Sequence, residues 1–240
     1  MKLNIPIETQ KKGSRDCGIV CLLMVFRYFG IRKSLQDIQK ELKVDKVGTY
    51  APHIGAFMLK NGFSVELVTQ HPGIFTIQDR GKSQKEILHR MKGLLQKEEK
   101  DQNKKVLKYF IGFLESGGKI KVKIPGADDI RESLKNKSPL IALLTTNFLT
   151  EKNPEFNFHY NVVTGIDKNF VYLNDPLPDQ RGGKKKCGIN DFLFGLYAAS
   201  YGDLDNGSLL KISRRYKFRV CATPNLPRRH PVRRIGGSGS

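Results

Sequence analysis

No apolar run in this chain approaches the roughly 18 to 20 residues needed to cross a bilayer; the longest starts at Gly18 and stops at Arg27. A membrane anchor is therefore not expected. Residues 1–10 also lack the apolar stretch followed by small residues that marks a secretory signal, so a cytoplasmic protein is expected. Cysteine is sparse: Cys17, Cys21, Cys187 and Cys221 are too few for a disulfide-stapled secreted domain, and reduced thiols are expected. No C-x-x-C occurs. Cys17 and Cys21, one helical turn apart, could form half a metal site, but no second ligand pair accompanies them, so neither metal nor cofactor is expected. Internal repeats at a period of 20 to 50 residues are likewise absent.

What is present fits an ordinary folding domain. Hydrophobic residues make up 39% and charged residues 27% of 240, a composition unlike that of disordered or fibrous chains. A chain of this length builds one core more readily than two. The net charge of +19 is large, and no acidic residue occurs from Lys211 to Arg234. That stretch would attract nucleic acid, anionic lipid or an acidic peptide, or it simply serves solubility; charge alone does not choose.

Three units are expected along the chain: a folded domain over residues 1–213, a flexible basic tail over 214–235, and an engineered flexible linker over 236–240. The tail carries three prolines and no regular apolar period, and the last five residues alternate only Gly and Ser. Within the domain, residues 18–28 are apolar on most faces and run up to Gly30, which predicts a buried helix ended by a left-handed glycine. Ser34-Leu-Gln-Asp37 matches a capping box for a second helix, and Pro52 opens a third that stops near Asn61-Gly62. A strand is predicted over 63–69, then two charged amphipathic helices over 83–115, taken as a helical insertion of about 83–117. A strand at 119–124, a helix at 127–136, strands at 139–145, 159–166 and 170–174, a helix at 190–200 and a strand at 208–212 follow. Helices first and strands afterwards predict an α+β protein with a cleft between the two parts.

The chemistry centres on Asp16-Cys17-Gly18 at the start of the apolar helix. A thiol at a helix N-terminus feels the positive end of the macrodipole, which favours the thiolate. Gly18 would leave room for a substrate beside the sulfur, with Asp16 next to it on the substrate side. On its own the motif fits a small buried thiol equally well. His159 opens an apolar β run after a polar loop, the right address for a base that takes the thiol proton. Asn174-Asp175-Pro176 closes the next strand, and a hairpin near residues 167–169 would return Asp175 to His159. A carboxylate there would fix the imidazole tautomer and stabilise the imidazolium, although an Asp-Pro pair can also simply start a turn. The backbone N–H of Cys17 would supply one oxyanion donor, and Gln10 a side-chain donor.

Taken together, Gln10, Asp16-Cys17-Gly18 leading into the apolar helix, His159-Tyr-Asn-Val-Val and Asn174-Asp175-Pro176 resemble the motif blocks of the bacteriocin-processing peptidase C39 family. The resemblance implies a papain-like cysteine peptidase fold: a helical N-terminal half whose nucleophile helix packs on an antiparallel sheet carrying histidine and aspartate. It implies Cys17 as nucleophile, His159 as base, Asp175 as orienting carboxylate and Gln10 in the oxyanion hole. Members of this kind remove leader peptides after a double glycine, usually as the N-terminal domain of an exporter. A peptide or protein substrate is thus expected, cleaved through a thioester. Three other readings use the same residues or charge: transfer of the acyl group to an amine, a noncatalytic peptide-binding module, and a polyanion-binding protein.

Overall fold

The computed structural model describes residues 1–44, 46, 48–145, 157–178 and 182–215. The basic tail from residue 216 onward, the 236–240 linker and Cys221 lie outside the described residues. Among the described residues no helix is long and apolar enough to cross a membrane.

The first half supplies helices. Helix α1, Cys17–Tyr28, buries every residue from Gly18 to Phe26 and ends where Gly30 adopts a φ of +71°. Ile31 N–H donates to the Phe26 carbonyl and Gly30 N–H to that of Arg27, closing the helix with the left-handed cap its sequence predicts. Helix α2, Leu35–Glu41, carries the Ser34–Asp37 capping box, and helix α3, Ala51–Lys60, has proline in its first turn.

Strand β1, Phe63–Thr69, follows, then α4, Gln84–Lys97, and α5, Asp101–Glu115. Both helices are charged outside, yet Ile87, Met91, Val106, Leu107, Phe110 and Phe113 enter the same core as α1 and α3. The segment read as an insertion is built into the body of the protein. Strand β2, Lys119–Val122, and helix α6, Ala127–Lys135, lead to β3, Leu140–Leu144. Strands β4, His159–Ile166, β5, Phe170–Asp175, and β6, Gly183–Gly188, then precede α7, Ile189–Ala199, and β7, Leu209–Arg214.

The strands form one sheet in the order β2-β1-β7-β3-β4-β5-β6. All neighbours are antiparallel except β1 and β2, which run parallel, with Glu66 opposite Lys119. The strands that carry His159 and Asp175 are antiparallel, as expected, and α4 and α5 form the crossover that the parallel β1–β2 pair requires. Alternation along β3 feeds two cores: Ile141 and Leu143 face α1 to α5, while Leu140, Ala142 and Leu144 face α6 and α7. The sheet is thus sandwiched between helical layers, and α1 packs directly on β4. This contact brings the head of α1 to the start of β4.

Candidate active site

Cys17 is the first residue of α1, with Asp16 as its N-cap. His159 is the first residue of β4, the strand that α1 packs on, and Asp175 is the last residue of the neighbouring β5. The β4–β5 hairpin turns at Asp167, whose carboxylate accepts from the N–H groups of Asn169 and Phe170 at 2.8 and 2.7 Å. Strand pairing sets Asn174 opposite Val162 and so returns Asp175 to the end of β4 where His159 stands, as the sequence spacing predicts.

The two side chains meet: His159 Nε2 lies 2.8 Å from Asp175 Oδ1. A carboxylate oxygen can only accept, so Nε2 carries the proton and Nδ1 is the nitrogen left for Cys17. The same imidazole acts on the Cys17 thiol, and the thiol on it, strongly enough to shift both. Sulfur, imidazole and carboxylate are thus coupled through His159.

Its electrostatics oppose burial at each member. Burial disfavours a thiolate at Cys17, but the hydrogen bond and positive charge of His159, with N–H groups of Tyr160 and Gly18, outweigh it and hold the thiol below its ordinary value. Burial likewise disfavours a charged imidazole, yet hydrogen bonds to Asp175 and Cys17 and the charges of both raise His159 to about 9. Asp175, fully buried, is kept below the usual carboxylate range despite that burial by His159, the Leu177 N–H and Lys185. The arrangement favours a thiolate–imidazolium pair at neutral pH. Cys21, one turn along α1, is pushed well above its ordinary value by burial, and Cys187 is pushed up to about 11.

Two supporting contacts have no signature in the motif blocks. Lys185 Nζ lies 3.3 Å from Asp175 Oδ2, and Leu177 N–H donates to Asp175 Oδ1 at 3.0 Å. Lys185 stands on β6, a strand whose lysine run reads in sequence only as a charged tract. Half-buried and exposed positions alternate along the folded strand, a pattern that its run of lysines does not show in sequence.

Gln10 reaches this region through the N-terminal segment, which runs along β4 and β5. Leu3 N–H donates to the Thr164 carbonyl, Asn174 Nδ2 donates to the Ile5 carbonyl at 3.0 Å, and Gln10 N–H donates to the Pro176 carbonyl at 2.8 Å. Gln10 is buried; its Nε2 donates to the Ser14 carbonyl at 2.9 Å in the turn leading to Cys17, and its Oε1 accepts from no group among the described residues.

Asp16 and Gly18 flank Cys17 in the chain. A cavity of about 560 Å³ opens beside Cys17, and Arg15 and Cys17 line it, whereas Asp16 and Gly18 do not. Gly18 is buried, and a Cβ added there would collide with Thr49 Oγ1 and stand 2.9 Å from Ile54 Cδ1. The missing side chain is thus accounted for by how closely α1 approaches its neighbours. Asp16 is half-buried and its side chain makes no capping hydrogen bond.

Comparison with known proteins places this geometry in context. The model of the peptidase C39 family matches residues 4–100, and that of the peptidase C39-like family matches residues 99–208. No curated protein matches the chain. Among solved structures, a candidate C39-like peptidase from Bacillus anthracis is 14% identical, covers 90% of this chain and 98% of its own, and superposes with a TM-score of 0.51. The peptidase domain of Streptococcus ComA, described as a bi-functional ABC transporter of a quorum-sensing pathway, is 15% identical over 88% of this chain and 100% of that one, with a TM-score of 0.46. A double-glycine-motif protease from an AMS/PCAT transporter, solved with its leader peptide, is 14% identical over 89% and 94%, with a TM-score of 0.45. At such identities the likeness is one of fold, and the Bacillus anthracis chain carries it: the architecture is the α+β, papain-like one.

Proposed function

Because this chain belongs to the C39-like peptidase family, we propose that it is a cysteine peptidase in which Cys17, His159 and Asp175 act as a catalytic triad. The observation that carries the reading is the 2.8 Å pair of His159 with Asp175 beside a Cys17 thiol that this imidazole holds below its ordinary value. In this mechanism the thiolate attacks a peptide carbonyl while the imidazolium keeps its proton. That proton passes to the departing amine as the tetrahedral intermediate collapses to a thioester. Water, deprotonated by the now neutral His159, cleaves the thioester and restores the thiol.

The oxyanion would be met by the Cys17 backbone N–H at the head of α1, together with Gln10 once its Nε2 leaves the Ser14 carbonyl. Asp175, braced by Lys185 and Leu177, holds the imidazole in the tautomer that faces sulfur. The first substrate to try is a peptide with a Gly-Gly leader-type motif, the choice suggested by the likeness of the motif blocks to the family.

The test is mass-spectrometric comparison of wild type and Cys17→Ala on a peptide library that includes double-glycine sequences. Cleavage by wild type that vanishes in the variant upholds the reading. Equal processing by both would end it. Products joined to an added amine would move the assignment from hydrolysis to acyl transfer on the same residues.

A further inference from the structure

The cavity beside Cys17 has one wall holding an acid that no cation among the described residues compensates. It lies between the head of α1, residues 48–50 before α3, Tyr160 of β4 and the loop 202–206. Asp205 stands in that loop, only 1% exposed. Its Oδ2 accepts from the Ala51 N–H at 2.6 Å, at the start of α3, and from the Tyr160 hydroxyl at 3.3 Å. Its Oδ1 is buried and accepts from no other residue among those described, and Thr49 Oγ1, buried on another residue of the lining, has no partner among them either. A buried polar atom without a partner calls for an explanation, because burial removes the water that would otherwise satisfy it.

The charges around Asp205 sharpen the point. Burial, with the repulsion of Asp203, pushes its carboxyl up to about 7, and no cation acts on it strongly among the described residues. Asp203 itself accepts from Gln102 Nε2 at 3.1 Å. Arg15 and Lys46 also line the cavity, but both are exposed, where water screens them. Among the described residues no cation compensates this buried acid, and the lining of the same cavity includes the apolar surfaces of Leu143, Phe158 and Tyr160.

We propose that this cavity is a specificity pocket for a lysine or arginine side chain of the substrate close to the scissile bond, with Asp205 pairing the cation and Thr49 accepting a second hydrogen bond. The apolar walls suit the alkyl stem of such a side chain, which packs along apolar surface while its charged end finds a partner. A cation at Oδ1 would compensate the buried carboxylate and favour its charged form, so each partner stabilises the other. The inference rests on the peptidase reading for its consequence, cleavage preference, but its physical content is a binding preference.

The test uses peptides varied at each position around the cleaved bond, carrying lysine, arginine, norleucine or glutamate in turn, against wild type, Asp205→Asn and Thr49→Val. Asparagine at 205 keeps an acceptor for Ala51 and Tyr160 while removing the charge. At one position wild type should prefer lysine or arginine over norleucine by about tenfold or more in kcat/KM, and that ratio should fall to roughly threefold or less in Asp205→Asn. Because the ratio is taken within each variant, a general loss of folded protein cannot mimic the effect. A preference absent at every position, or unchanged in Asp205→Asn, would overturn the pocket. Anisotropy binding of the same peptides to Cys17→Ala separates the two failures. A basic preference in binding without cleavage by wild type would retain the pocket and discard the peptidase, and no preference in either assay would discard the pocket.

Discussion

Cys17 and Cys21 stand one turn apart on the same helix with thiols driven in opposite directions, the first below and the second well above the ordinary value. Both are shielded from water to some degree, so burial alone does not separate them. The difference is His159, which faces Cys17 with a hydrogen bond and a charge, whereas Cys21 meets the charges of Cys17 and Asp175. A haloacetamide at pH 7 should therefore modify Cys17 at least about ten times faster than Cys21 or Cys187, as peptide mapping of a time course would report; one unit of pKa is tenfold in thiolate at such a pH. Comparable rates at all three would mean that the imidazole does not activate the sulfur.

The same contact sets the pH range of catalysis. Activity needs the Cys17 thiolate and a proton on His159 at once, so kcat/KM should rise through the lowered thiol value and fall only near pH 9, where His159 loses its proton. Asp175→Asn keeps the shape of the side chain and removes the charge that helps to raise His159. In that variant kcat/KM should drop by on the order of 10² to 10⁴, and the alkaline limb should move to lower pH. An alkaline limb near 6.5 in wild type, or one unmoved by Asp175→Asn, would contradict this account of the imidazole.

Gly18 offers a prediction about stability. A methyl group there would strike Thr49 and crowd Ile54 and Tyr160. Gly18→Ala should cost about 1–3 kcal/mol through overpacking, seen by calorimetry as a fall in Tm of roughly 2–12 °C. A variant that melts with wild type would show that α1 can move away without cost and that the close approach is incidental.

Much of this was legible in the sequence, and the reasons differ by element. α1 with its Gly30 stop, β1 and β4 follow from periodicity and punctuation that tertiary packing did not need to override. The meeting of His159 and Asp175 follows from a short hairpin between two strand ends. β6 was missed because Gly183-Lys-Lys-Lys-Cys-Gly188 carries few apolar residues; as an edge strand it has no need of them, and lysines suit an edge. α4 and α5 read as an insertion of charged amphipathic helices, and their apolar residues, Phe110 and Phe113 foremost, reach the core. Asp205 had no motif to announce it, since its character comes from burial against Ala51 and Tyr160, residues 154 and 45 positions away.

The central claim is that the sulfur of Cys17 becomes covalently bound to the substrate. Acid quenching of wild type during turnover of a cleaved peptide, followed by intact-mass and peptide mapping, tests it most directly. The account predicts an adduct with the mass of the acyl fragment, located on Cys17 and discharged by hydroxylamine. Continued cleavage with an adduct on another residue, or cleavage at the wild-type rate by Cys17→Ala, would contradict it.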